Sequence, residues 1–512
     1  MRTVFILADS FNRRFMKAYG AEEVMFTPNL DRLAEKSVVF DNHWCGSAPC
    51  MPARRDLMTG RLNFMERPWG GIEPFDITLT SLLRTKNVYT HMETDHFHYV
   101  ESGGENYFCD FTSWNIYRGV EHDTVNWGPD KTGIPAPSMP ENFVGLYSPS
   151  YDVTKKIYNE KPERYSTPRT YNAAAEWLEK NKDADNFFLW VEGFDPHEPF
   201  DVPEEYINLY GKDAYDNPDN TYWPKYETAD HYTQEQIRHF RKRYKALATM
   251  TDFYIGKLLE VLDRYNMWED TAVIFTTDHG FMLGEHGFMA KCVMPDYNEV
   301  FHIPLMVHMP GIEPGRCNAL TQNIDIFPTI LECFAVDMSL CKNKLHGKSL
   351  LPLLRGETEV IHDKLLFGIF AKTINVTDGR YVYMRKAANE ENQPLYIYGA
   401  MMSILNKYIG YDTMDPKDFD RIEMGRYLSW VNYPVYKVPA DAVYWGNYCL
   451  EFSLVNNYVP ENLLFDIRQD YAQDYPCRDA ELESKMIGLL MDAMEEYDSP
   501  EEQYVRLGLR TP

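Results

Sequence analysis

Up to residue 350 the chain alternates short apolar runs that end in polar residues with segments whose apolar positions recur at helical spacing. "RTVFILAD" (2–9) is apolar through its centre and closes on Asp9. That is the pattern of a buried parallel strand delivering a side chain at its carboxyl end. "TPNLDRLAEKS" (27–37) predicts a helix with Thr27 as cap and Pro28 in the first position. A second helix is expected over "YNAAAEWLEKN" (171–181), followed by a strand over "NFFLWVEGF" (186–194). Residues 233–265 keep the helical period over many turns and lead into "TAVIFTTDHG" (271–280), a further strand ending in polar residues. Helices alternating with buried strands predict an α/β fold, a mostly parallel sheet sandwiched by helices.

Past residue 350 the pattern changes. "KLLFGIFAKTINVTDGRYVYMRKA" (364–387) reads as two strands joined around "TDGR", and "ELESKMIGLLMDAMEEY" (481–497) as an amphipathic helix. The expected division is a large α/β domain over residues 1–360 and a smaller C-terminal α+β domain over 361–512, with an antiparallel sheet and a terminal helix. Residues 103–170 lack periodicity but carry many aromatic residues, among them Tyr107, Trp114, Tyr117 and Trp127. An irregular insertion of that length is more often functional than disordered in a compact enzyme.

Composition narrows the function classes. The 512 residues are 44% hydrophobic and 25% charged, enough for a large core. A formal charge of −26 argues against nucleic acid or an anionic membrane as partner, since both demand basic surface. No run approaches the roughly 18 apolar residues of a membrane-spanning helix, and Val4–Ala8 is too short for the core of a signal peptide. The chain as given is therefore expected in the cytoplasm, unless an export signal has already been removed. Its nine cysteines form no C-x-x-C pair, which fits reduced thiols better than a zinc site or disulfide scaffold. Nothing in the sequence bears on oligomeric state.

Against this acidic background Cys50 stands between Pro49 and Pro52 and is followed by Arg54, Arg55 and Arg61. Stiff, cationic surroundings suit a nucleophile acting on an anion. The carboxyl ends of strands in an open α/β sheet meet at one crevice, so Asp9, Asp278 and His279 can share a hard divalent cation. A lone strand-end aspartate is more often a helix cap; two such ends plus the cysteine loop favour the ligand reading. His197 is bracketed by Pro196 and Pro199, which suits a held general acid with an ordinary pKa near 6.5. His96 and His98 lie two apart and share a side if extended. Lys291 closes the glycine-rich stretch 278–291 that begins with the candidate metal ligands, as an anion-binding group would.

Residues 50–61, "CMPARRDLMTGR", resemble the signature of the type I sulfatases: Cys, any residue, Pro, Ser or Ala, Arg, two residues, Leu, any residue, Thr-Gly-Arg. "TPNLDRLAEKSVVFDNHW", the Pro-His-x-Pro-Phe of 196–200, "TTDHGFMLGEHG" and "NIDIFPTILE" (323–332) are similar to further landmarks of that family in the same order. The resemblance implies an alkaline-phosphatase-like core with a smaller C-terminal subdomain. It implies a sulfuric ester hydrolase releasing inorganic sulfate from a sulfated carbohydrate or a small aryl or steroid sulfate. It further implies that Cys50 is oxidised to formylglycine by a formylglycine-generating or anaerobic sulfatase-maturating enzyme. One hydroxyl of the hydrated aldehyde then attacks sulfur, and the other expels sulfate. By the same resemblance a divalent metal, Ca²⁺ by family precedent, is held by Asp9, Cys50, Asp278 and His279. Arg54 would hold the formylglycine hydroxyl, Lys291 the sulfate and His197 the leaving oxygen, while His98 would help break the sulfated hemiacetal.

Two positions depart from the family. Ser10 stands where many sulfatases have a second aspartate, a change that would admit another divalent ion, with Asn12 as the substitute ligand. His96 stands where the family has a lysine and would donate a hydrogen bond when protonated, with a stronger pH dependence than lysine. Both changes also occur among relatives that hydrolyse phosphonate monoesters or phosphodiesters, the alternative activity. Catalysis by an unmodified Cys50 thiol would need a base-paired thiolate, and the intact signature speaks against a non-catalytic binder of sulfated ligands. Specificity is expected to lie in residues 101–170, 200–232 and 390–450.

Overall fold

The amino-terminal run becomes the middle of the fold. The structure, a computed structural model, describes all residues except 102, 103, 105, 122, 124–160, 214–222, 402–414, 443–458 and 512. Strand β1 (Arg2–Ala8) is buried at every position. Val4, Ile6 and Ala8 enter one core while Phe5 and Leu7 enter the other, the alternation expected of a strand covered on both faces. Helices α1 (Pro28–Glu35), α4 (Ser166–Lys180) and α5 (Gln234–Arg264) close the first core. Helices α2 (Cys50–Thr59), α3 (Leu79–Arg84) and α6 (Ile326–Cys333) close the second.

The other strands of this sheet are β2 (Val38–Phe40), β4 (Tyr89–Thr94), β5 (Ser113–Ile116), β6 (Phe187–Gly193), β7 (Thr271–Thr276), β8 (Leu305–His308) and β9 (Gly315–Cys317). Their order is β9-β2-β8-β7-β1-β6-β4-β5. Every neighbour is parallel except β8, which runs antiparallel to β7 and β2. The register sets Leu7 beside Glu192 and Thr276, and Thr94 beside Glu192. The carboxyl ends of β7, β1, β6 and β4 therefore open side by side on one crevice.

Local signals act mostly as read. Pro28 is in the first turn of α1, although the Thr27 hydroxyl makes no capping bond. Thr233 and Gln236 form a reciprocal capping box at the start of α5. Helix α4 starts at Ser166 rather than at 171.

Segment 364–387 forms three strands rather than the expected two: β10 (Leu365–Ile369), β11 (Ile374–Thr377) and β12 (Tyr381–Arg385). The second turn carries Gly379 at φ 83, the anticipated signal. The first hides in "FAKT", where Ala371 takes a left-handed φ of 69 without any glycine to announce it. With β13 (Leu463–Asp466) and the two-residue β3 (Ser47–Ala48) these form a second sheet, ordered β13-β12-β11-β10-β3. Strand β3 pairs parallel with β10, Ser47 beside Gly368 and Ala48 beside Ile369. The segment just before Cys50 is thus an edge of the C-terminal sheet. Helix α7 (Ala480–Glu496) covers this sheet through Met486, Leu490, Ala493 and Met494.

No described helix is long and apolar enough to cross a membrane. The described cysteines are all free thiols. Trp127 and much of the segments expected to set specificity (124–160, 214–222, 402–414 and 443–450) lie outside the described residues.

Candidate active site

Helix α2 starts at Cys50, and all 10 of its residues are buried. Asp56 anchors it: its carboxylate accepts from Ser47 N at 2.6 Å, Ser47 Oγ at 2.8 Å and Asn63 Nδ2 at 2.7 Å. Arg55 is held by Asp76 through two 2.9 Å bonds, and Arg61 pairs with Asp498 and lies over the Trp430 ring. Of the three arginines after Cys50, Arg54 alone faces the strand ends.

Asp9, Cys50, Asp278 and His279, all buried, each bring one ligand atom within 4.8 Å of the others. His279 Nδ1 donates to the Gly280 carbonyl at 2.8 Å, which leaves the Nε2 lone pair facing Cys50 Sγ at 3.3 Å and Asp278 Oδ2 at 3.4 Å. That tautomer, fixed by its outer hydrogen bond, is the one a metal-binding imidazole requires. Burial, and Lys291 nearby, hold His279 below its ordinary pKa and keep it neutral. Two carboxylates and a neutral imidazole fit a hard divalent cation.

The expected role of Asn12 is not met. Its Nδ2 donates to the Phe281 carbonyl at 2.8 Å, and its Oδ1 accepts from Arg14 N at 2.9 Å, capping a short turn. Ser10 braces the ligands instead: its hydroxyl donates to Asp9 Oδ1 at 2.7 Å and its backbone N–H to Asp278 Oδ1 at 3.0 Å.

Arg54 donates to Glu192 Oε1 (2.7 Å), Asp278 Oδ2 (2.6 Å), Asp9 Oδ2 (2.8 Å) and the Cys50 carbonyl (3.0 Å). These bonds run to the carboxylates and the main chain at Cys50, not to the Cys50 side chain as the resemblance implied. Burial opposes the charge on Asp9, but Arg54, Lys291 and His279 outweigh it and hold the carboxyl well below the usual range. Glu192, absent from the sequence reading, also accepts from Tyr99 OH and Trp190 Nε1, each at 3.0 Å. Its signal was available: a lone acid inside an otherwise apolar strand.

Lys291 Nζ lies 3.3 Å from Ser10 Oγ and 3.5 Å from Cys50 Sγ. Burial disfavours its charge, yet Cys50, Glu198, Asp9 and Asp278 raise its pKa. Ala290 and Cys292 on either side take left-handed φ values of 66 and 77, strained positions for residues with a side chain. The Cys50 thiol itself is pushed well above its ordinary pKa by burial and by Asp9. It is not the ready thiolate that thiol catalysis requires.

The histidines divide. His96 is fully buried, with neither ring nitrogen hydrogen-bonded among the described residues, its Nδ1 3.8 Å from Asp9 Oδ2 and from Glu192 Oε1. Burial and Arg54 push it well below its usual pKa, so the protonated donor expected there is a neutral ring. His98 is shifted the other way: burial opposes its charge, but Glu101 (2.7 Å from Nδ1) and Glu121 (3.5 Å from Nε2) raise its pKa above the ordinary value. His197 Nδ1 donates to the Glu198 carbonyl at 2.6 Å, and burial with Lys291 pushes its pKa well down. The titration near 6.5 anticipated for His197 is thus replaced by a neutral ring whose Nε2 accepts rather than donates.

Residues 2–336 match the family model described as Sulfatase. The choline-sulfatase of Rhizobium meliloti (strain 1021) is 25% identical over 412 residues, covering 76% of this chain and 78% of the relative. The iduronate 2-sulfatase of Homo sapiens is 25% identical over 397 residues, covering 64% of this chain and 68% of the relative. The solved complex of BT4656 with its substrate D-Glucosamine-2-N, 6-O-disulfate superposes with a TM-score of 0.65 at 15% identity, covering 98% of this chain and 99% of that one. The phosphonate monoester hydrolase of Agrobacterium radiobacter gives 0.63 at 18% identity, covering 97% and 95%. These structures share the large mostly parallel sheet between helices and the smaller C-terminal sheet.

Proposed function

Because the chain belongs to the sulfatase family and is a sulfuric ester hydrolase, we propose that it releases sulfate from a sulfated carbohydrate or small aryl or steroid sulfate, with formylglycine made from Cys50 as its nucleophile. The observation that carries this reading is the place of Cys50 Sγ, 3.3 Å from His279 Nε2 and 3.5 Å from Lys291 Nζ. The sulfur stands where a formylglycine oxygen would lie. Formylglycine supplies two hydroxyls on one carbon, one to attack sulfur and one to expel sulfate as the aldehyde returns. A divalent ion, which we take to be Ca²⁺, would be held by Asp9, Asp278, His279 and residue 50 and would supply positive charge beside the nucleophile and the sulfate.

The chain's own groups do the rest. Lys291 is the cation beside the nucleophile and holds the sulfate. Arg54 fixes Asp9, Asp278 and Glu192 as one unit. His197 presents Nε2 to the leaving oxygen and must gain a proton before it can act as an acid. His98, its pKa raised by Glu101 and Glu121, is the ring placed to exchange a proton with the second hydroxyl. His96 is a neutral wall behind Asp9 and Glu192. The conversion of Cys50 calls for a formylglycine-generating or anaerobic sulfatase-maturating partner.

Phosphonate monoester or phosphodiester hydrolysis is the competing reading, favoured by Ser10 in the ligand shell. Matured enzyme assayed on paired aryl sulfate and aryl phosphonate separates the two. Faster turnover of the sulfate is expected, and a large preference for the phosphonate would overturn the reading. The peptide containing Cys50 should weigh as an aldehyde in active preparations; a thiol there would exclude the formylglycine route.

A further inference from the structure

Two acids lie beside the reaction centre: Glu198, which has no part in the chemistry above, and Glu121, which enters it only as a neighbour of His98. Glu198 Oε2 lies 3.4 Å and Glu121 Oε1 3.6 Å from His197 Nδ1, so both carboxylates meet around one ring nitrogen. Glu198 is fully buried; the Tyr226 hydroxyl donates to its Oε1, but its Oε2 has no hydrogen-bond partner among the described residues. A buried acceptor left unpaired is costly and rare. Glu121 is also buried, in a left-handed backbone conformation (φ 42) that glutamate seldom adopts. Burial, and Glu198 beside it, outweigh His98 and push its carboxyl up to about 8. Two acids are thus pressed together with one oxygen unpaired, and at neutral pH Glu121 keeps a proton that an arriving cation would displace.

The donor set says which cation. His197 Nδ1 is occupied by its proton, donated to the Glu198 carbonyl at 2.6 Å, and cannot ligate a metal while that bond stands. What is left is carboxylate oxygen, suited to an ammonium with three N–H donors.

We propose that Glu121 and Glu198 bind an ammonium group of the substrate itself, so that the enzyme selects sulfate esters bearing a free amine a few bonds from the ester oxygen. The inference rests on the reading of Cys50 as nucleophile and His197 as neighbour of the leaving oxygen. A free amino sugar sulfate is the natural form of such a substrate. Its N-acetylated counterpart would lack the charge and bring bulk to the same place.

The test compares 2-aminoethyl sulfate with 2-hydroxyethyl sulfate as competitors of aryl sulfate turnover by the matured, metal-loaded enzyme. Calorimetric binding to the Cys50→Ala protein repeats the comparison without turnover. The amine should bind about tenfold more tightly or better, as a charge-assisted hydrogen bond to a buried carboxylate would provide. Glu198→Gln and Glu121→Gln should each bring that ratio towards one. Equal affinity of the two compounds, no binding of either, or a ratio that survives both substitutions overturns the inference. So does metal analysis that finds two divalent ions per chain and one in Glu198→Gln, since the carboxylates would then hold a second metal. If aryl sulfate is not turned over at all, the sulfatase chemistry fails, while the affinity ratio on the Cys50→Ala protein still decides the amine.

Discussion

Arg54 neutralises Asp9, Asp278 and Glu192 while a bound ion would draw on the first two of these same acids. Arg54→Ala should therefore destabilise the metal-free protein by about 3–5 kcal/mol, because buried charges are left unpaired. The loss should be smaller with a divalent ion bound, and thermal unfolding with and without chelator measures the difference. Cys50→Ala should lower turnover by about 10⁴-fold or more, as removal of a covalent nucleophile does, with folding unchanged by circular dichroism. At this scale the sequence was informative where a residue type is itself the signal. Cys50, Asp9, Asp278, His279 and Lys291 do converge. Protonation was not legible, because burial and neighbouring charges decide it: His96 and His197 are pushed well down while His98, two residues from His96, is raised by Glu101 and Glu121. Nor was the direction of a side chain, as Asn12 shows by turning its oxygen to Arg14.

Elements were legible where apolar period and turn residues agree. Strands β1, β6 and β7 and helix α5 fall where their patterns put them, whereas β3 is two residues long and owes its existence to a partner beyond residue 360. No local pattern encodes such a strand. The turn that follows β7 depends on Gly280: a Cβ there would lie 2.0 Å from the Glu299 carbonyl oxygen. Gly280→Ala should displace Asp278 and His279, weakening divalent-ion binding in a titration and costing about 1–3 kcal/mol of stability. Unchanged metal affinity would show that the ligand turn tolerates the shift.

For the molecule as a whole, acid sensitivity follows from buried neutral histidines. Burial holds His43 at about 4, while burial and Arg61 hold His346 at about 3. Each is neutral in both states above 6.5. Below that the unfolded chain binds a proton that the fold refuses, so stability falls with pH. The slope is about 1.4 kcal/mol per pH unit for each such ring until its folded value is reached. In denaturant titrations the contribution of these two rings should be level above pH 7 and decline from 6.5 to 4, against an opposite slope from Glu121, whose carboxyl is held at about 8. His346→Gln should flatten that decline by close to one proton, even though it loses the contact with Asp498.

The parallel pairing of Ser47–Ala48 with Gly368–Ile369 also orders events in time. Residues 47 and 48 leave the ribosome long before their partner strand has been made. Until then the stretch carrying Cys50 has no sheet edge to dock on, and Ala53 of α2 lacks the core it shares with Leu365 and Phe367. On the formylglycine reading proposed above, a modifying enzyme would reach the thiol on this unfinished chain, since in the finished one Cys50 is 2% exposed. A peptide of residues 46–62 should accordingly be converted by a maturating enzyme that leaves the folded, unmodified protein untouched. If Cys50 is converted as proposed, completion of the fold is the deadline for that conversion.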